Sequence, residues 1–96
     1  MEVNLTMKIE IYKKENDENI YVNYNDKEKI LNFDNLKELS KIFLEKSINN
    51  EDTSYSFDCI PELNLYKNTV DDVIKSVIED EDLKNLYKKH KNDEKN

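Results

Sequence analysis

The ten residues VNLTMKIEIY, positions 3–12, decide the fold. Val3, Leu5, Met7, Ile9 and Ile11 are apolar, and Asn4, Thr6, Lys8, Glu10 and Tyr12 lie between them. A period of two puts one set on each face of a β-strand, so the stretch predicts a strand with one buried side. Ile20, Val22 and Tyr24 alternate in the same way, and Lys13 to Asn19 between them is polar and turn-like. Pairing Tyr12 with Tyr21 sets Ile11 opposite Val22 and Ile9 opposite Tyr24. Both tyrosines then share the other face.

Outward from this hairpin, Asn25-Asp26-Lys27 predicts a second turn and Glu28 to Phe33 a short third strand. The chain contains no glycine, so asparagine and aspartate must fill any left-handed turn position, which they tolerate best among the remaining residues. Asp34 is the expected cap of a first helix running to about Ser47, with Leu36, Leu39, Phe43 and Leu44 on its apolar side. Tyr55, Phe57 and Cys59 alternate with Ser56 and Asp58 as a fourth strand, which Pro61 ends. Glu62 to Lys67 is expected to be connecting chain.

Asn68 or Thr69 should start a second helix, with Asp71 and Asp72 in its first turn. Val70, Val73, Ile74, Val77 and Ile78 form its stripe. IEDED, residues 78–82, then interrupts that stripe, and Leu83, Leu86 and Tyr87 resume it. Either one long helix peels away from the core, or Asp80 caps a new short one. The expectation is one α+β domain over residues 1–91 with a frayed tail over 92–96. Its element order is β-β-β-α-β-α-α, an antiparallel sheet of three to four strands with helices packed on one face.

The chain has 96 residues, 15 lysines, 22 acids and a net charge of −7; arginine, alanine, glutamine and tryptophan are absent. Its lysine, asparagine, isoleucine and glutamate bias is what an AT-rich genome produces. That favours a low-GC bacterium or a phage or plasmid within one. A single cysteine excludes an internal disulfide. No apolar run is long enough to span a membrane and no signal-peptide pattern opens the chain, so a cytoplasmic location is expected. Charge is segregated. Residues 1–50 carry 8 lysines against 10 acids, residues 51–82 carry 2 against 10, and residues 83–96 carry 5 against 2.

Catalytic and cofactor chemistry finds little purchase. Phosphate-binding loops require glycines. The carboxylates of IEDED lack the ligand spacing of a calcium loop, so no metal or other cofactor is expected. His90 stands among Lys88, Lys89 and Lys91, without an orienting carboxylate nearby in sequence, and reads as a surface residue. Cys59 reads as an inert thiol in a negative neighbourhood. Direct DNA binding is disfavoured by the negative charge and the lack of arginine.

What remains is an acidic band of Asp58, Glu62, Asp71, Asp72, Glu79, Asp80, Glu81 and Asp82, with Tyr66 and Tyr87 as aromatic anchors for a partner. The competing reading is a solubilising surface and tyrosines that merely cap a half-exposed sheet.

Through the acidic stretch TVDDVIKSVIEDED, residues 69–82, together with its size and element order, the chain resembles the anti-CRISPR inhibitors of phages. The resemblance implies a non-enzymatic inhibitor in the bacterial host. Such a protein would bind a basic CRISPR effector nuclease or its complex, with the acids competing with or mimicking nucleic acid. Some members of that class instead block guide-RNA handling, nuclease domains or assembly. The positive tail departs from a uniform mimic and suits RNA or an acidic protein face. The alternative is a small acidic adaptor, or an antitoxin-like protein that neutralises another basic protein. Whether a homodimer forms stays open.

Overall fold

A computed structural model describes residues 6–94. The elements are β1 (Met7–Lys13), β2 (Ile20–Tyr24), β3 (Lys27–Ile30), α1 (Phe33–Ile48), β4 (Tyr55–Cys59), a 3₁₀ turn at Pro61–Leu63, α2 (Asn64–Glu79) and α3 (Glu81–Glu94). The fold is α+β, in the expected order. Val3 and Leu5 lie outside the described residues.

The strands form one sheet in the order β3-β2-β1-β4. Tyr12 pairs with Tyr21 and Ile11 with Val22, the register that the alternation demands. Asn25 and Asp26, with φ of 52° and 60°, form the two-residue turn that joins Tyr24 to its partner Lys27. Positive φ at both positions is the type I′ geometry that matches strand twist.

The sheet is mixed, not antiparallel throughout. β4 runs parallel to β1, pairing Ile9 with Phe57 and Ile11 with Cys59. The cause is α1, a crossover that carries the chain back across the sheet before β4 begins. A strand delivered by a helix re-enters in the same direction as the strand that preceded the helix.

The buried sheet face carries Met7, Ile9, Ile11, Val22 and Tyr24. Against it lie Leu39 and Phe43 of α1, Leu63, and Val70 and Ile74 of α2. The rings of Phe43 and Tyr55 meet edge to face at 5.3 Å, and Tyr55 meets Phe57 likewise at 5.6 Å.

Helix boundaries differ from expectation in three places. Asn32, not Asp34, caps α1, because its side-chain oxygen accepts from the Asn35 N–H at 2.9 Å. This shortens the third strand, which stops at Ile30. The C-terminus of α1 closes with Asn50 at φ 57°. The Glu51 N–H returns to the Lys46 carbonyl at 2.8 Å and the Asn50 N–H to the Ser47 carbonyl at 3.3 Å. That is a Schellman cap, with asparagine where glycine is usual.

α2 begins at Asn64, four to five residues before Asn68 or Thr69. Pro61 presets a 3₁₀ turn that runs directly into the helix, so Glu62 to Lys67 is not connecting chain. Thr69 sits inside α2 and donates to the Leu65 carbonyl at 3.0 Å. Asp71 and Asp72 therefore stand two turns into the helix and do not favour its N-terminus.

At IEDED the chain breaks into two helices. Asp80 leaves the helical region at ψ 97° and accepts the Leu83 N–H at 2.9 Å, capping α3. α3 extends to Glu94, so residues 92–94 of the expected frayed tail are helical. Among the described residues no helix is long and apolar enough to cross a membrane.

Candidate interaction surface

The acids of the expected band do not form one patch. Asp58 lies on the open face of the sheet, since Tyr55, Phe57 and Cys59 alternate inward around it. Its carboxylate faces Lys8 at 3.8 Å. The helices cover the other face, which separates Asp58 from the acids of α2.

Asp71 is turned toward the core side of α2. It accepts from the Tyr55 hydroxyl at 2.6 Å and pairs with Lys75 at 2.9 Å. These two contacts, the tyrosine first, hold its carboxyl below the ordinary range. Burial, and then Asp71, push the Tyr55 phenol well up.

Asp80, Glu81 and Asp82 serve α3. Asp80 is its cap, and Glu81 and Asp82 occupy its first turn, where negative charge is favoured by the exposed N–H groups. Glu81 also binds Lys84 at 3.1 Å. The like-charge cost of IEDED is thus offset locally by a helix start.

Glu62, Asp72 and Glu79 cap no helix, although Asp72 and Glu79 both act through space on Lys75 of the same helix. All three are exposed and make no ion pair among the described residues. Glu79 closes α2, where the helix end is negative and a carboxylate is disfavoured. Leu65, Asp72 and Glu79 recur every seven residues, so they stand in line along the outward ridge of α2.

The two expected aromatic anchors also part company. The Tyr87 hydroxyl donates to Glu45 at 2.5 Å, tying α3 to α1, so this ring is an internal tether. Tyr66 is 43% exposed and lines a cavity of about 290 Å³ beside Leu36, Leu65 and Val70.

Sequence reasoning missed the most exposed apolar groups, Leu65 at 76%, which lines that cavity, and Phe33 at 79%, which lines a neighbouring one with Leu36. By sequence, Phe33 falls in the expected third strand and Leu65 in the expected connection. Leu65 falls off the apolar stripe of α2, which was the available signal; Phe33 lies within the arc of the α1 stripe but at the first position of the helix, where the core does not reach it. Contiguous exposed apolar surface is uncommon on small soluble domains and marks interaction sites.

On the open sheet face Tyr12 and Tyr21 stack at 6.0 Å. Their hydroxyls are engaged by Glu28, at 2.6 Å from Tyr12, and by Asp17. Partial burial, then Glu28, push the Tyr12 phenol up to about 12.

Burial pushes the Cys59 thiol up, away from the thiolate needed for nucleophilic work. His90 is exposed on α3. Among the described residues no three of His, Cys, Asp and Glu gather closely enough to hold a metal ion. No family model, curated protein or solved structure matches the chain.

Proposed function

We propose that the chain is a non-enzymatic inhibitor that binds a basic, nucleic-acid-processing effector, a CRISPR nuclease or its complex, through the outward ridge of α2. The observation that carries this reading is the alignment of Asp72 and Glu79 with Leu65. Two exposed carboxylates beyond ion-pair distance of any lysine among the described residues, sharing with Asp71 the field of the single Lys75 and one of them at a disfavoured helix end, lie in line with the exposed Leu65. Such an arrangement costs the isolated domain stability and fits a cationic surface with an apolar contact.

The acids act as a short ridge, not as a long phosphate mimic, because Asp58, Asp71 and Glu81 already face lysines of the chain itself. DNA is not the ligand, since the ridge repels phosphates.

The test is a salt-titrated pull-down of purified CRISPR effectors, with the double variant Asp72→Lys/Glu79→Lys as control. Capture at low salt that fades as salt rises, and that weakens at least about tenfold in the variant, supports the reading. Capture unchanged by the variant removes the ridge. Capture of a basic protein other than an effector assigns the chain to the adaptor or antitoxin-like class.

A further inference from the structure

We propose that the free edge of β4 pairs with the same edge of a second copy of this chain, joining two sheets into one across a two-fold axis at Phe57.

The two edges of the sheet are built differently. β3 forms one edge with four residues, Lys27 and Lys29 among them, and Lys29 pairs with Glu38 of α1. Short length and lysine side chains guard an edge against strand addition. β4 forms the other edge and carries no lysine.

The ladder fixes which groups of β4 face outward. The Met7 N–H donates to the Ser54 carbonyl at 3.0 Å, and Met7 pairs with Tyr55, Ile9 with Phe57 and Ile11 with Cys59. In a parallel ladder of that phase Ser56 and Asp58 turn their backbone groups toward β1, and Tyr55, Phe57 and Cys59 turn theirs away. Three N–H and three C=O groups therefore line the edge without a hydrogen-bond partner among the described residues. The side chains of the same three residues point inward, yet each is only half-buried, whereas Met7, Ile9 and Ile11 of β1 are buried. The helical layer closes over β1 and thins toward β4.

A second copy fits this edge because the strand is its own complement. Antiparallel pairing centred on Phe57 sets Phe57 against Phe57, and Tyr55 against Cys59 of the other copy. Every outward N–H and C=O then meets a partner, and the half-buried rings gain apolar contact. On the open face Ser56 falls opposite Asp58, so a hydroxyl meets each carboxylate and no like charges oppose one another.

The contact is small, of the class that is weak and transient. Each copy carries a charge of −7, so the copies repel until salt screens them, and added salt tightens the dimer. That sign is opposite to the salt dependence of effector capture. Ser56 and Asp58 also stand on the far sheet face from the α2 ridge, so either reading can fail alone.

The experiment follows the full chain by sedimentation equilibrium over about a hundredfold range of concentration, at low and high salt, and by amide exchange. A dimer that strengthens with concentration and salt is expected. Exchange at the Tyr55, Phe57 and Cys59 amides should slow as it forms, while Ser56 and Asp58, already bonded to β1, change little. Ser56→Asp places carboxylates opposite each other twice and should weaken the dimer about fivefold. Adding Asp58→Lys places opposite charges there and should restore it. Both positions are exposed, and circular dichroism checks that the variants fold. If Ser56→Asp does not fold, the amide pattern of the unmodified chain decides.

A chain that stays monomeric at the highest concentration and salt overturns the proposal. So does a dimer whose protected amides lie on β3 or the helices, or one indifferent to Ser56→Asp. Protection of the β4 amides that appears only on adding effector makes a strand of that protein the occupant and overturns it too.

Discussion

The Tyr55 hydroxyl donates to Asp71 Oδ1 across 2.6 Å, joining the inward face of β4 to α2. It is the point where a residue of the sheet and a charge of the helical layer meet in a half-buried setting. Tyr55 also packs edge to face on Phe43, so one side chain holds apolar core and ionic surface together.

Tyr55→Phe keeps the ring and removes the donor. Loss of a hydrogen bond to a charged acceptor costs about 1.5–3 kcal/mol, and the low end applies because Lys75 still faces Asp71. At roughly 4–8 °C per kcal/mol for a domain of this size, calorimetry should show a clear fall in Tm.

The same pair sets part of the acid limb of stability. Asp71 titrates below its ordinary value when folded, so its contribution is complete above the unfolded carboxylate pKa and is lost as pH falls through the lowered folded value. Asp71→Asn and Tyr55→Phe should each flatten the decline of stability with falling pH. Urea midpoints measured from neutrality into the acid range check this, and an acid slope identical to the unmodified chain contradicts it.

Phe43 of α1 is fully buried in the core and meets Tyr55 of β4 edge to face. Phe43→Ala should cost about 3–5 kcal/mol, a large share of the roughly 5–15 kcal/mol available to a small domain. The expected readout is loss of the cooperative thermal transition near room temperature, or a Tm lowered by more than 10 °C, a figure of about the size that cost implies.

Asp80→Ala removes the cap of α3 and should cost that helix about 1 kcal/mol. Amide exchange should quicken over α3 while Val70 and Ile74 in α2 keep their protection. Equal acceleration in both helices would mean that α2 and α3 open as one unit.

Asp26 holds φ 60° without being glycine. Asp26→Gly removes the Cβ penalty of the left-handed region, about 1 kcal/mol, against the greater freedom of glycine in the unfolded chain. A net gain of about 0.5 kcal/mol is expected from denaturant titration. The same substitution at Asn25, itself at φ 52°, should gain less, because asparagine tolerates this region better.

The hairpin of β1 and β2 was legible residue by residue, because alternation fixes a face and the Tyr12–Tyr21 pairing fixes the register. The direction of β4 was not. Tyr55, Phe57 and Cys59 alternate identically in a parallel or an antiparallel ladder, and the partner strand lies far away in sequence. The start of α2 was hidden by a 3₁₀ turn that needs no capping side chain. The acids were counted correctly but not sorted. Nothing local to Asp71 announces that Tyr55 will reach it, and nothing local to Asp58 says that Lys8 lies on the neighbouring strand. The exposed apolar pair was invisible for the opposite reason. Phe33 and Leu65 look like ordinary apolar residues until the core is seen to close without them.

The parallel ladder also sets the order of assembly. β1 and β2 meet through a short loop and can zip early, but the other side of β1 waits for residues 55–59 to arrive after the whole of α1. On a ribosome the flank of β1 that bonds to β4 would emerge unpaired and stay so until the crossover helix had been made. Closing so distant a contact is entropically slow. The refolding rate should therefore follow the maturation of α1, and changes that strengthen that helix should speed acquisition of the native state more than changes that tighten the hairpin.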